Sequence, residues 1–458
     1  MSLSFCEGCL EKQRKIDQLV EENRHLKDQL RYRKKKEREG FFGSSTPSAQ
    51  RPVKANSEPE QQTKRGGAQK GHPGHGRKAI DEANAARVID VTLEPTCPQC
   101  GDMLEDKGLR RRSVLEIPPS RPEPILYRLR KQYCPRCQKA FQAQAPAVLP
   151  KALFGNQLTA RIACLHYLHG MPLGRICDQM GLSLGSVIQM LHRLAGLFKP
   201  VVPLLIEQYR QAVVRHADET SWRTNGHSGY AWLFCTADLS IFLFRATRSA
   251  AVPKEVFGDQ PLAGVLVVDR YNGYSRVPCK RQYCYAHLLR DVEDLGKEFP
   301  DNTEVIAFMA TLIPLLASAM HLRSQPLSDI QYYEQTAQIQ HQIASVSEQP
   351  AQHLAIRHIQ DIFCDHPDRL YHWVYDRNIP ADNNRCEREL RPTVIARKVS
   401  FGSQSEEGAK TREILMSVLH TLKKRQLHPE ERLKWVLDQL AVDIKQDPFP
   451  LLFPNDSS

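Results

Sequence analysis

Apolar spacing changes its period several times along the chain, and each change predicts a different element. Between residues 10 and 38, Ile16, Leu19, Asn23, Leu26 and Leu30 fall on alternating three- and four-residue steps. This predicts a long helix with a coiled-coil seam, in which Asn23 at an a-type position sets register and pairing. Residues 156–199 read as helical, and Leu173 to Leu191 follow the grammar of a helix-turn-helix. Its first helix ends near Gly181, Ser183 caps the second, and Val187, Ile188 and Leu191 face inward. Ser186, Gln189 and His192 then fall on the exposed, recognition side. From 211 to 290 strand-like runs take over: Ala212–Ala217, Tyr230–Thr236, Ile241–Arg245 and Val265–Asp269, with a helix near Ser249–Phe257 before the last. Arg281–Cys284 is a further strand leading into a helix that contains His287. Residues 291–375 are mostly helical, and helices return at Glu413–Lys424 and Pro429–Leu440.

At 458 residues the chain is too long for one core. Three consecutive strands, a helix and another strand is the order of a ribonuclease H-like fold, in which the first and fourth strands adjoin. The predicted fold class is therefore multidomain α+β. A coiled-coil helix (1–40) precedes a basic Gly/Pro/Ser linker (41–80), a zinc ribbon (81–150) and a helix-turn-helix (151–205). A ribonuclease H-like α/β catalytic core opens over 206–290. A helical insertion (291–375) interrupts it, a helix over 376–405 closes it, and C-terminal helices (406–458) end the chain.

Charge is unevenly placed. The net charge is +11, and residues 1–150 hold 29 Lys and Arg against 19 Asp and Glu, a surplus of ten. A basic front on a near-neutral body suits a polyanion partner. Nucleic acid is favoured over membrane, since no lipid anchor or signal peptide appears. The uncharged run Val305 to Leu322 reads as a buried helix because Pro314, Ser318 and His321 interrupt it. Arg65, Lys70, Arg77 and Lys78 lie in a glycine-punctuated tract suited to tracking a phosphate backbone.

Thirteen cysteines without a secretory signal favour a reduced compartment and metal ligation over disulfides. Cys97-x-x-Cys100 and Cys134-x-x-Cys137 supply two thiolate knuckles, a complete tetrahedral site for one structural Zn²⁺. Cys6 and Cys9 have no evident partners. Cys284-x-x-His287 offers two ligands, either half of a metal site or part of the core.

Two predicted strands end on aspartates, Asp218 and Asp269. A third carboxylate, Glu387, sits in a segment where Asp382 is a good N-cap and Pro392 a stop, giving a short helix with Asn383, Glu387 and Arg391 on one face. Three such acids are hard oxygen ligands for two Mg²⁺ (or Mn²⁺) ions. A pair of these ions activates a nucleophilic oxygen and stabilises the leaving oxygen in phosphodiester displacement. Arg388 and Arg391 stand ready to grip phosphate.

Taken together, these motifs resemble the DDE transposases of the insertion-sequence-66 family. The resemblance rests on the N-terminal coiled coil, Phe42-Gly43-Ser44-Ser45, the Gly66-to-His75 tract and the paired cysteines. It rests equally on His216-Ala217-Asp218-Glu219-Thr220-Ser221-Trp222, Val268-Asp269-Arg270-Tyr271-Asn272-Gly273-Tyr274, Cys284-Tyr285-Ala286-His287 and Asp382-Asn383-Asn384-Arg385-Cys386-Glu387-Arg388. Cys386 stands where a small residue is expected. The resemblance implies Asp218, Asp269 and Glu387 as an acidic triad that cuts and joins the ends of a mobile element. Implied partners are terminal inverted repeats and target DNA, a second copy of the chain in a homodimer or higher oligomer, and accessory proteins, in a bacterial cytoplasm near the nucleoid. The competing readings are a DNA-binding regulator with an inert core, and a metal-dependent ribonuclease or junction enzyme.

Overall fold

The computed structural model describes residues 7–39, 103, 122–136 and 138–454. The chain divides into two units, Val53–Glu123 on the one hand and Met1–Pro52 with Pro124–Ser458 on the other, and the second unit carries the sheets and helices. Arg65, Lys70, Arg77, Lys78, Cys97, Cys100 and Cys137 lie outside the described residues, as do Cys6 and the Phe42-Gly43-Ser44-Ser45 segment. Within residues 81–150, where the sequence predicts a ribbon, the structure describes a short antiparallel hairpin, β1 (Lys131–Cys134) with β2 (Lys139–Gln142).

A mixed five-stranded sheet organises the larger unit: β3 (Val214–Thr224), β4 (His227–Cys235), β5 (Ser240–Arg245), β6 (Val265–Val268) and β7 (Lys280–Tyr283). The spatial order is β5-β4-β3-β6-β7. The first three strands run antiparallel, and β3, β6 and β7 run parallel. The strand β3 is longer than its apolar run predicts. It passes Asp218 and continues to Thr224, because Asn225-Gly226 (φ 51° and 75°) closes a two-residue hairpin that pairs Thr224 with His227. Positive φ at both central positions is the condition for the turn whose twist matches flanking strands, and Asn-Gly meets it. Gly264, at φ +83°, is required before β6: a Cβ there would lie 2.2 Å from the Val213 carbonyl oxygen.

The β5 edge of the sheet is covered by side chains of one helix, Glu406–Lys424. The Ser240, Phe242 and Phe244 amides of β5 donate to Thr421 Oγ1 (3.1 Å), Ser417 Oγ (2.9 Å) and Glu413 Oε2 (3.3 Å). Two residues of strand span about 6.7 Å and four residues of helix about 6 Å, so the two pitches stay in step for three contacts. Edge amides that otherwise invite another strand are satisfied within the chain. This demands a helix buried nearly all round, and Ile414 to Leu422 are all buried.

Before the sheet come Asn156–Ala163, a π-turn at Cys164–Leu168, and the helix pair Leu173–Met180 and Leu184–Phe198. Gly181 adopts φ 66° and ends the first of the pair, as a left-handed cap does. Ser183 occupies the N-cap position of the second without a side-chain bond. Val187 and Leu191 are buried, Gln189 is exposed and Ser186 partly so. His192 departs from expectation. Its Nδ1 lies 2.6 Å from Thr411 Oγ1, turned toward the edge-covering helix and away from solvent.

Among the described residues, burial lowers six histidines, His166, His216, His353, His366, His372 and His420, with His166 and His216 at about 3 and His420 at about 4. Each folded value lies below the free value of 6.5, so the unfolded chain binds more protons as pH falls beneath it, and stability drops. His420→Gln is expected to shrink the stability difference between pH 7 and pH 5 by about 2 kcal/mol. Urea melts at the two pH values check this; an unchanged difference contradicts it.

Residues 285–375 form a helical layer with its own core. Thr303–Leu322 within it is long and apolar enough to cross a membrane, yet packs here with Val305, Phe308, Leu312, Leu316, Ala319 and Leu322 buried along one face. The helix Glu7–Glu39 lies against this layer. Tyr32 is buried beside Phe299 (ring centroids 6.1 Å apart), and His25 meets His353. The stripe of Ile16, Leu19, Leu26 and Leu30 stays more than half exposed.

Candidate active site

The three acids arrive on different elements at one end of the parallel strands. In register, His216 faces Val267 and Val268 faces Tyr283. Continuing each strand places Asp218, Asp269 and Cys284 side by side, and the Cys284 amide donates to the Val268 carbonyl (2.9 Å). Asp218 therefore lies in the middle of its strand and not at its end; it is β6 and β7 that stop beside it.

The helix that carries Glu387 spans Asn384–Ser400 and does not stop at Pro392. Proline removes the bond to the Arg388 carbonyl, but Arg388, Arg391 and Ile395 are exposed, so that carbonyl lies on the watered side. Cys386, Leu390, Thr393 and Ala396 pack the opposite side onto the sheet. Cys386 fits there as a small buried residue, its Sγ 3.7 Å from the Leu233 carbonyl oxygen. Asn383, expected on a polar face, is buried and pins the start of the helix. Its Oδ1 lies 2.9 Å from His216 Nδ1, and its Nδ2 donates to the Ala217 carbonyl at 2.8 Å. One turn later Glu387 is brought over the strand ends.

The electrostatics are those of crowded anions. Burial pushes Asp218 well above the carboxylate range, and the charges of Glu219, Asp269 and Glu387 push it further. Asp269 is also raised, by burial, with Glu387 adding and Arg248 and Arg270 opposing. The Tyr271 amide donates to Asp269 Oδ1 (3.0 Å) and fixes the carboxylate in its turn. Glu387 takes two bonds from Arg290, at 2.9 and 3.0 Å. Arg388 and Arg391 are exposed on the watered side of the helix.

Several residues that shape the site escape sequence reasoning. Glu219, adjacent to Asp218 on the strand, points to the other face. It accepts from Arg248 Nε (2.7 Å) and from the Tyr274 hydroxyl. Burial and Asp269 raise it to about 7, against the pull of Arg248. The Arg248 guanidinium lies over the Tyr271 ring, 3.7 Å from its centre, which ties the turn after Asp269 to the far face of β3. Arg290 lies three residues beyond His287, on the same face of its helix, a spacing that the Cys-x-x-His motif alone does not reveal.

The model of the transposase IS66 family matches residues 151–411, more than half of the chain and every element that carries one of the three acids. The chain belongs to the IS66 transposase family. Among curated proteins it is similar to three from Sinorhizobium fredii (strain NBRC 101917 / NGR234), all uncharacterized. It is 26% identical to y4qI over 403 residues, covering 77% of this chain and 72% of that protein. It is 24% identical to y4jD over 406 residues, covering 77% and 76%, and 23% identical to y4hP over 432 residues, covering 79% and 72%. IS66 membership makes DNA the partner and DNA cutting the activity class, with divalent metal use as the family's chemistry.

Proposed function

We propose that this IS66-family chain cuts and joins the ends of its parent element at Asp218, Asp269 and Glu387, on a ribonuclease H-like core. The observation that carries the reading is the convergence of acids: Asp218, buried, lies beside Asp269 where β3 and β6 adjoin, and a desolvated carboxyl that feels the charges of Asp269 and Glu387 calls for a cation. Oxygen-only donors at strand ends suit Mg²⁺ or Mn²⁺. Asp218, Asp269 and Glu387 would hold two such ions, which would supply activation of the attacking oxygen and charge neutralisation at the leaving one. Asn383 and Arg290 position Glu387, while Arg248 and Tyr274 hold the wall behind Asp269. Arg388 and Arg391, exposed on the helix that carries Glu387, suit the phosphates of the DNA backbone.

End recognition falls to the front half: Ser186 and Gln189 on the helix-turn-helix, the basic tract at Arg65, Lys70, Arg77 and Lys78, and a ribbon holding Zn²⁺ through Cys97, Cys100, Cys134 and Cys137. The test is nicking of element-end DNA in Mg²⁺ by the wild type and by Asp269→Asn. Loss of cleavage with retained binding in the variant supports the reading; equal cleavage ends it. Binding without cleavage by both proteins turns the assignment toward a DNA-binding regulator.

A second copy is the proposed partner for the exposed stripe on Glu7–Glu39. Replacing Leu19 and Leu26, 52% and 54% exposed, with Glu is expected to lower the oligomer mass in light scattering without shifting the melting temperature. An unaltered mass removes the coiled-coil pairing.

A further inference from the structure

Beside the oxygen-only acids lies a group of different chemistry. One ligand atom from each of Cys284, His287 and Glu387 lies within 4.8 Å of the other two. His287 Nδ1 is 3.8 Å from Glu387 Oε1. Cys284 is the N-cap of the helix Tyr285–Glu298 and His287 sits in its first turn, so both point off the same end. Burial, with the charges of Glu387 and Asp382, holds the Cys284 thiol well above its ordinary range, and against that pull the Asn383 amide donates to Cys284 Sγ at 3.1 Å.

We infer that Cys284, His287 and Glu387 form a second kind of cation site, one that takes Zn²⁺ or a similar borderline transition ion. Sulfur, nitrogen and oxygen donors together select such an ion over Mg²⁺. Three protein ligands leave a fourth tetrahedral position open to water or a substrate oxygen, the pattern of reactive zinc sites and unlike a closed four-cysteine ribbon. Arg290 does not forbid it. A carboxylate has about four acceptor directions, so Glu387 can keep the Arg290 pair and still offer a lone pair to a metal. Asn383 orients both Cys284, through its backbone amide, and the start of the helix bearing Glu387. The supporting contacts of the site are thus already formed. Glu387 becomes the shared corner between this site and the proposed Mg²⁺ site.

Zinc content of the full-length protein, equilibrated with Zn²⁺ and desalted, tests this by elemental analysis. Cys284→Ala and His287→Asn are each expected to lose one equivalent relative to wild type, and Cys97→Ser to leave that equivalent in place. Co²⁺ in place of Zn²⁺ is expected to give thiolate charge-transfer absorption that Cys284→Ala reduces. Equal metal content in wild type and both variants overturns the site. If the fully buried Cys284 tolerates no change, Glu387→Gln decides, since its side chain is one-fifth exposed: loss of the equivalent supports the site, and retention overturns it. The outcome is separable from the catalytic proposal. Asp218→Asn that loses cleavage but keeps this zinc, or His287→Asn that loses zinc but still cleaves, tells the two apart.

Discussion

Asp218→Asn is expected to stabilise the metal-free protein while lowering Mg²⁺-dependent cleavage by about 10³-fold. The cleavage figure follows from the several kcal/mol that metal-held charge stabilisation supplies, at about 1.36 kcal/mol per tenfold. The gain in stability has a separate origin. The folded carboxyl titrates above its unfolded value of 3.8, so above both values the folded state carries an ionised group in a place that resists it. Asparagine keeps the shape and the acceptor for the Glu219 amide, now 2.8 Å from Asp218 Oδ1, and removes the charge. Thermal melts should show a higher midpoint without metal and a smaller rise on adding Mg²⁺. A variant less stable than wild type, with its Mg²⁺ response intact, refutes the crowding of acids around Asp218.

Glu413→Ala is expected to cost about 3 kcal/mol or more, one of the largest losses available from a single polar residue in this chain. The side chain is 2% exposed, accepts from the Phe244 amide, and pairs with Arg245 at 2.7 Å. Its removal leaves an edge amide buried without an acceptor and Arg245 with Glu255 as its remaining carboxylate. Glu413→Gln, which keeps an oxygen, should lose less than the alanine. Urea unfolding at pH 7 measures both. A loss below about 1 kcal/mol from the alanine variant means that the helix does not carry the sheet edge.

Much of the core was legible because local signals agreed with the fold. The runs at Tyr230–Thr236, Ile241–Arg245 and Val265–Asp269 became strands within a residue or two at most boundaries, since apolar β-formers there are buried on both faces. The carboxylates were legible as residues but less so as geometry. Reading Asp218 as a strand end overlooked Asn225-Gly226, the hairpin signal that carries β3 on past it. Pro392 read as a stop because a proline rule ignores which side of a helix faces water. Asn383 and His216 read as ordinary polar residues, and only the fold, across 167 positions, makes them partners. The same limit hid Glu413, Ser417 and Thr421. Their i, i+4, i+8 spacing describes any helix face, and nothing local says that a strand edge will lie against it.

The most direct test of the central claim is a crystal structure of the protein soaked in Mn²⁺, read by anomalous scattering. The account predicts Mn²⁺ about 2.1 Å from carboxylate oxygens of Asp218 and Asp269, with Glu387 reaching the same metal centre. Manganese absent from between the two aspartates, with Glu387 still held by Arg290 alone, would contradict it.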